Sequence, residues 1–366
     1  MRSLSILLIC RALGILSLLL CQTGEADDSI DFKVRIQPRA DLGQFAAGDD
    51  YSNQLDLSIR RARLELFGKP TEGVFYIFAI SGDRWGQRGI SGGGDVAYAF
   101  VNYRLSNWAD IRAGLLKLPF SRGALVSSSR ILLIERTKIV SAAGAAFGPY
   151  ITPHLTLHGR LKDGSVGYSL ALMDGLQPGD SDSRFSGALV RASENPGMVA
   201  RFEFSPAGWV EGRESDSHLG VGRHLTIAVN GAMQSGIEFD AGAEDRIVMG
   251  GDLSLHRGGL SLQTEYLRID RDGPTDTSPS GWYLQLGHYL PRFKLEPAVR
   301  FERFDADLAD GNDATTIYTG GLNWYRQGHD LKFALNLVHT RFQRGVREVA
   351  DAPSRTVIEL QNQLYF

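Results

Sequence analysis

The chain has 366 residues, 39 basic and 42 acidic, with a formal net charge of −3. So even a balance argues against nucleic-acid binding. Past the first 26 residues no apolar run approaches the roughly 18 residues of a membrane helix, so spanning helices are excluded.

At the start, Arg2 and Arg11 lie in a basic leader and Ala12–Cys21 forms a short apolar run. Gly24-Glu25-Ala26 then offers small residues where a signal peptidase cuts. This predicts a secretory signal peptide over residues 1–26 and export of a mature chain, 27–366. Lipid attachment through Cys21 is disfavoured, because Leu20 stands where a small residue is expected. Cys10 and Cys21 both precede the cut, so the mature chain would carry no disulfide despite entering an oxidising space.

From Asp31 onwards, apolar and polar residues alternate in short segments at about 20-residue spacing, divided by Gly, Asp, Asn and Pro. Period-two alternation places one residue set on each face of a strand. The predicted strands are 31–37, 55–66, 73–80, 95–105, 109–118, 151–160, 166–173, 198–204, 217–227, 246–256, 259–269, 281–290, 293–304, 315–326, 330–342 and 355–366. In the last of these Ile358, Leu360, Leu364 and Phe366 share one face; Glu359, Gln361 and Gln363 share the other. Asn362 interrupts the apolar row. A chain ending on an aromatic in such a strand is similar to bacterial outer-membrane β-barrels. An even count of strands suits a barrel with both ends on the periplasmic side. The predicted fold is therefore all-β, a transmembrane antiparallel barrel of about 16 strands. A large soluble β-protein explains the alternation but not the terminal Phe.

Short links such as 106–108 and 327–329 read as periplasmic turns, and 119–150, 228–245 and 305–314 as extracellular loops. Trp108, Trp282, Tyr283, Trp324 and Tyr325 fall near predicted strand ends, where aromatic girdles meet the lipid–water boundary.

Several blocks resemble the phosphate-selective porin O and P family. They are Arg60-Arg-Ala-Arg-Leu-Glu-Leu66, Ala97–Arg104, Ile111–Phe120, Ser127–Arg136 and Gly321–Tyr325, in the family's order. The resemblance implies a 16-stranded channel, usually a homotrimer, passing small anionic or neutral solutes without a cofactor. It also implies an inward-folded constriction loop, which would be 119–150.

Parity then nominates the pore residues. With Ala62, Leu64 and Leu66 facing lipid, Arg61 and Arg63 face the lumen; an arginine turned to lipid near midplane would cost roughly 2–4 kcal/mol. Leu55, Leu57 and Ile59 have the opposite parity, which predicts a bulge near Arg60. Arg112 and Lys117 also differ in parity, so both reach the lumen only if the strand bends before Pro119. The loop adds Arg122, Arg130, Arg136 and Lys138, with Glu135 as its sole acid. Together they predict an anion-attracting eyelet, with Glu135 and Arg136 as candidate structural anchors.

Other loops are acidic. Segments 174–183, 228–245, 269–280 and 305–314 hold Asp174, Asp180, Asp182, Glu238, Asp240, Glu244, Asp245, Asp270, Asp272, Asp276, Asp305, Asp307, Asp310 and Asp313 against one base, Arg271. They read either as solvated tips or as sites for divalent cations bridging to lipopolysaccharide, and they weaken any reading of strict phosphate specificity. Metalloprotease, serine-hydrolase and phosphate-loop motifs are absent. His154 and His158 share a strand face without a Cys or carboxylate partner nearby. A barrel lipase or protease, or a structural or adhesion barrel, is the alternative reading.

Overall fold

The computed structural model describes residues 30–366 apart from 48–49, 88–91, 149–150, 183–184, 194, 212–214, 275–276 and 348–351. The predicted leader 1–26 and Asp276 lie outside the described residues. The strands are β1 (Asp31–Ala47), β2 (Asp50–Thr71), β3 (Val74–Trp85), β4 (Gly93–Ser106), β5 (Ala109–Lys117), β6 (Ile151–Leu161) and β7 (Val166–Met173). They continue as a two-residue β8 (Ala192–Ser193), β9 (Gly197–Phe204), β10 (Arg223–Phe239), β11 (Gly242–Arg257), β12 (Leu260–Asp272), β13 (Ser280–His288), β14 (Leu295–Asp305), β15 (Ala314–His329), β16 (Leu331–Phe342) and β17 (Ser354–Tyr365).

Each strand pairs antiparallel with the next, β9 following β7 directly, and β1 pairs with both β2 and β17. The ring is thus a closed barrel of 16 strands, with β8 an extra pairing on β10. Closure leaves no sheet edge exposed, as hydrocarbon requires. Its last stitch is the chain end: Val34 N donates to Phe366 O at 2.6 Å and Phe366 N donates to Val34 O at 3.0 Å.

The faces are inverted relative to a soluble protein. Leu57 is 62% exposed and Leu360 51%, whereas Gln37 and Gln363 inside are at 0% and 1%. A ring that is apolar outside and polar inside suits lipid outside and water within. Trp108, Trp282 and Trp324 stand on the exposed surface, as a girdle requires. Tyr283 and Tyr325 do not; their side chains are buried inside, where Tyr325 Oη donates to Glu296 Oε2 at 2.6 Å.

Connections alternate between the two ends of the barrel. The end holding Asp31 and the C-terminal Phe366 has tight turns, such as Gly258-Gly259, whose φ values of 57° and 90° suit glycine in a two-residue hairpin. Two expectations are corrected here. Segment 228–245 is no loop but the hairpin of β10 and β11, with a register shift between Gln234 and Ile237. Its inward face is small or polar (Ala228, Asn230, Ala232, Gln234), which hid the strand. Residues 217–222 are no strand either. They belong to an 18-residue link between β9 and β10 on the terminus-bearing side, where only short turns were expected.

Segment 118–148 leaves β5 and folds inward. It forms α1 (Arg122–Leu125), capped by Ser121 Oγ accepting from Ala124 N at 3.1 Å, and α2 (Lys138–Gly144). Leu118, Phe120, Ile139, Val140 and Phe147 of this loop pack on inward residues of the wall, including Val199, Ala232, Val248, Leu267 and Tyr283. Glycines on the wall make room. A Cβ at Gly281 would stand 2.8 Å from Ile139 Cβ, and one at Gly287 2.8 Å from Leu132 Cδ1. The loop is therefore a solid insert against β7–β14, and open space remains along the opposite wall.

Candidate functional site: the pore constriction

The first element of the constriction is a bulge. Gln37 faces Arg61 across the β1–β2 ladder, but Pro38 faces Ile59, so Arg60 is the extra residue. This is the irregularity expected from the parity switch. It turns both Arg60 and Arg61 into the lumen, and both are buried.

The loop presents Glu135 to these arginines. Glu135 accepts from Arg60 Nε in a very short contact and from Arg60 Nη2 at 3.0 Å, with Arg61 Nη2 at 3.9 Å. Arg39 of β1 donates Nη1 to Glu135 at 2.5 Å, Nη2 to Glu359 at 2.8 Å and Nε to Asp41 at 2.7 Å. Burial pushes the Glu135 carboxyl up, but Arg60, Arg61 and Arg39 outweigh it and hold the group well below the usual carboxylate range. Glu135 is therefore the anchor the sequence suggested. Arg136 anchors as well: it donates to Gly123 O at 2.8 Å and Val126 O at 2.5 Å.

Two adjoining cavities, of about 680 and 690 Å³, flank this contact and share Arg60, Arg84, Glu135, Arg136 and Ser141. On their joint lining basic residues outnumber acidic ones by eleven to six. The lining of these cavities is thus predominantly basic, and charge on the walls of a confined low-dielectric passage acts strongly on a solute.

Arg61, Arg63, Lys117, Arg136 and Lys138, all predicted, line these cavities. Arg63 lies over Tyr98, 5.2 Å from the ring centroid. Lys117 does bend in at the end of β5, donating to Val126 O at 2.9 Å. Lys138 reaches Thr315 Oγ1 at 3.4 Å. The other three predicted residues lie elsewhere. Arg112 faces the lumen on the terminus-bearing side and donates to Asn102 Oδ1 at 3.2 Å. Arg122 is buried against the wall, donating Nη2 to Ser215 O at 3.3 Å. The exposed Arg130 side chain is not on the cavity lining. Both are carried on the loop face turned from the passage, which spacing alone does not reveal.

Arg39, Arg60, Arg84, Arg300 and Arg355 line the passage and were not nominated. Arg39 lies beyond the predicted strand 31–37, in the later part of β1. Its alternation with Asp41, two residues on, was the available signal.

The acidic segments also divide. Asp182 and Glu244 are not solvated tips but are buried with Arg246 and Arg271. Arg246 donates to both Asp182 oxygens at 3.0 and 2.9 Å, and Arg271 to both Glu244 oxygens at 3.0 Å. Phe185 lies between the two guanidiniums, 5.3 and 4.8 Å from them. This quartet fastens the β7–β9 connection to the wall. His154 and His158 serve the wall too, bonding Thr152 O and Asn102 Oδ1 at 2.9 Å each.

An apolar-coated, polar-lined closed barrel, with a loop folded into its lumen and basic cavities beside that loop, is the architecture of an outer-membrane channel. By fold the chain is similar to an anion-selective porin from Comamonas acidovorans (TM-score 0.65, 13% identity, 92% of this chain and 99% of that one). It is also similar to the outer-membrane channel DcaP of Acinetobacter baumannii (TM-score 0.62, 13% identity, 94% and 100%). A protein of Aquifex aeolicus, described as uncharacterized, is 31% identical over 367 residues, covering 91% of this chain and 86% of that one. Residues 32–366 match the family described as phosphate-selective porin O and P, and the chain belongs to that family.

Proposed function

We propose that this porin is a passive diffusion channel for small hydrophilic solutes with a weak to moderate preference for anions, and that it turns over no substrate. The observation that carries this reading is the basic majority on the lining of the two cavities beside Glu135. Two of those bases are ion-paired, Arg39 with Asp41, Glu135 and Glu359 and Arg60 with Glu135, which favours a graded preference over a tight phosphate site. Residues 1–26 serve as the export signal, and the functional unit is a homotrimer in lipopolysaccharide-bearing membrane.

The test is planar-bilayer recording of the refolded mature chain in a salt gradient. Stepwise conductance with a zero-current potential on the anion side is expected. A cation-side potential overturns the preference; folded protein without channel steps overturns the channel.

A further inference from the structure

The β9–β10 link does not stay at the rim. Ser215, Asp216, Ser217 and His218 are 5, 6, 0 and 7% exposed, inside the barrel. They lie between the constriction loop and the wall. On the loop side, Asp216 N donates to Arg130 O at 3.1 Å, Leu132 N to Asp216 Oδ2 at 3.4 Å, and Arg122 Nη2 to Ser215 O at 3.3 Å. On the wall side, Gln285 Nε2 donates to Asp216 Oδ2 at 3.3 Å, His329 Nε2 meets Ser217 O at 3.0 Å, and His218 Nδ1 meets Ser261 Oγ at 3.3 Å. One turn of chain therefore bridges β12, β13 and β15 to the underside of the constriction loop.

The same segment carries a stacked imidazole pair. The His218 ring lies on that of His256 in β11, with centroids 4.4 Å apart and planes at 13°. His224 of β10 stands 5.2 Å from His256 on a tilted plane. The charged and titratable groups around the segment are Arg122 and Arg130 of the loop, Asp216 of the segment itself, Glu265 of β12, Tyr283 of β13, Glu296 of β14, Tyr325 and His329 of β15 and Lys332 of β16. Of the acids, Glu296 accepts from Tyr325 Oη, and Asp216 accepts from Leu132 and Gln285. A proton added to the stack thus meets the imidazole of His224 and the positive charge of Arg122, with Asp216 as the acid of the same segment.

We propose that this segment is a second constriction element, entering the lumen from the periplasmic side, and that the His218–His256 stack is its acid-released latch. The proposal rests on the channel reading above. Burial holds the His218 imidazole below its ordinary value, so the tucked segment fits the neutral ring. The sign follows. Well above about pH 6.5, tucked and released forms are both neutral at His218 and pH has no effect through it. Below that value the released form takes the proton first, so the tuck weakens as pH falls. Release opens the periplasmic half of the lumen beneath the loop.

Two measurements test this. Single-channel conductance of the wild type should rise reversibly from pH 7.5 to pH 5. The double variant His218→Gln, His256→Gln keeps every carboxylate of the passage and should lose most of that rise. Separately, residues 27–366 contain no cysteine, so in that stretch Ser217→Cys places a lone thiol in the buried segment. At pH 7.5, a charged membrane-impermeant thiol reagent should modify Ser217→Cys roughly tenfold faster with His256→Lys than with His256→Gln, the equivalent of one pKa unit. Equal labelling rates, or equal acid responses in wild type and double Gln variant, overturn the latch while leaving the porin intact. A refolded barrel that forms no channel fails the underlying reading instead.

Discussion

At the scale of single residues, Glu135 decides how much of the basic wall a permeating anion meets. Glu135→Gln removes the carboxylate that three arginines share, so the zero-current potential should move further towards anions. Its folded-state acidity is depressed, so the ionised anchor persists until pH falls far below the ordinary glutamate value of about 4.3. The difference between wild type and Glu135→Gln should therefore stay constant from pH 8 to pH 5. A difference that vanishes near pH 5 would mean that Glu135 titrates normally. A second prediction separates cavity lining from its reverse face. Neutralising Arg136 and Lys138 together should shift the potential towards cations, whereas Arg130→Gln should leave it in place. Alternation identified Arg61 and Arg63 directly, because a strand residue has only two faces to choose from. It failed for Arg122 and Arg130, since a loop that doubles back has no period to read.

At the scale of elements, the constriction loop holds its position by packing. Ile139 and Leu132 fill hollows that Gly281 and Gly287 leave open. Gly287→Val, which meets only side chains and first Leu132, should push the loop off the wall, giving noisier and altered conductance while the barrel still forms and keeps its heat-modifiable migration on gels. Unchanged traces would mean that the loop tolerates displacement there. Here the sequence was a partial guide. The length and basic character of 119–150 announced an insert, but its apolar residues gave no hint of which strands would receive it. β10 was misread for a related reason. Its inward face needed small side chains to accept the loop, so the segment looked like a turn-rich link.

At the scale of the molecule, the final residue adds the last two bonds to the β1–β17 ladder that closes the barrel. Deleting Phe366 removes both bonds to Val34 and one outward aromatic, so the variant should unfold at a lower temperature in the gel-shift assay. An unshifted transition would place closure elsewhere on the β1–β17 ladder. The ring of strands was legible because alternation survives even where loops do not, while the filling of the lumen depends on contacts across 100 residues or more and left no local trace. That filling gives the protein two kinds of greasy surface. The outward row stays among apolar tails whether the chain is folded or not, as long as detergent remains. Phe120, Ile139, Val140 and Phe147, against Val199, Val248 and Leu267, are instead sealed from water by the barrel itself. Only this second set passes into water when the structure comes apart. The heat capacity of unfolding is therefore set by what the lumen contains rather than by the wall around it, and calorimetrically this membrane protein carries the core of a small soluble one.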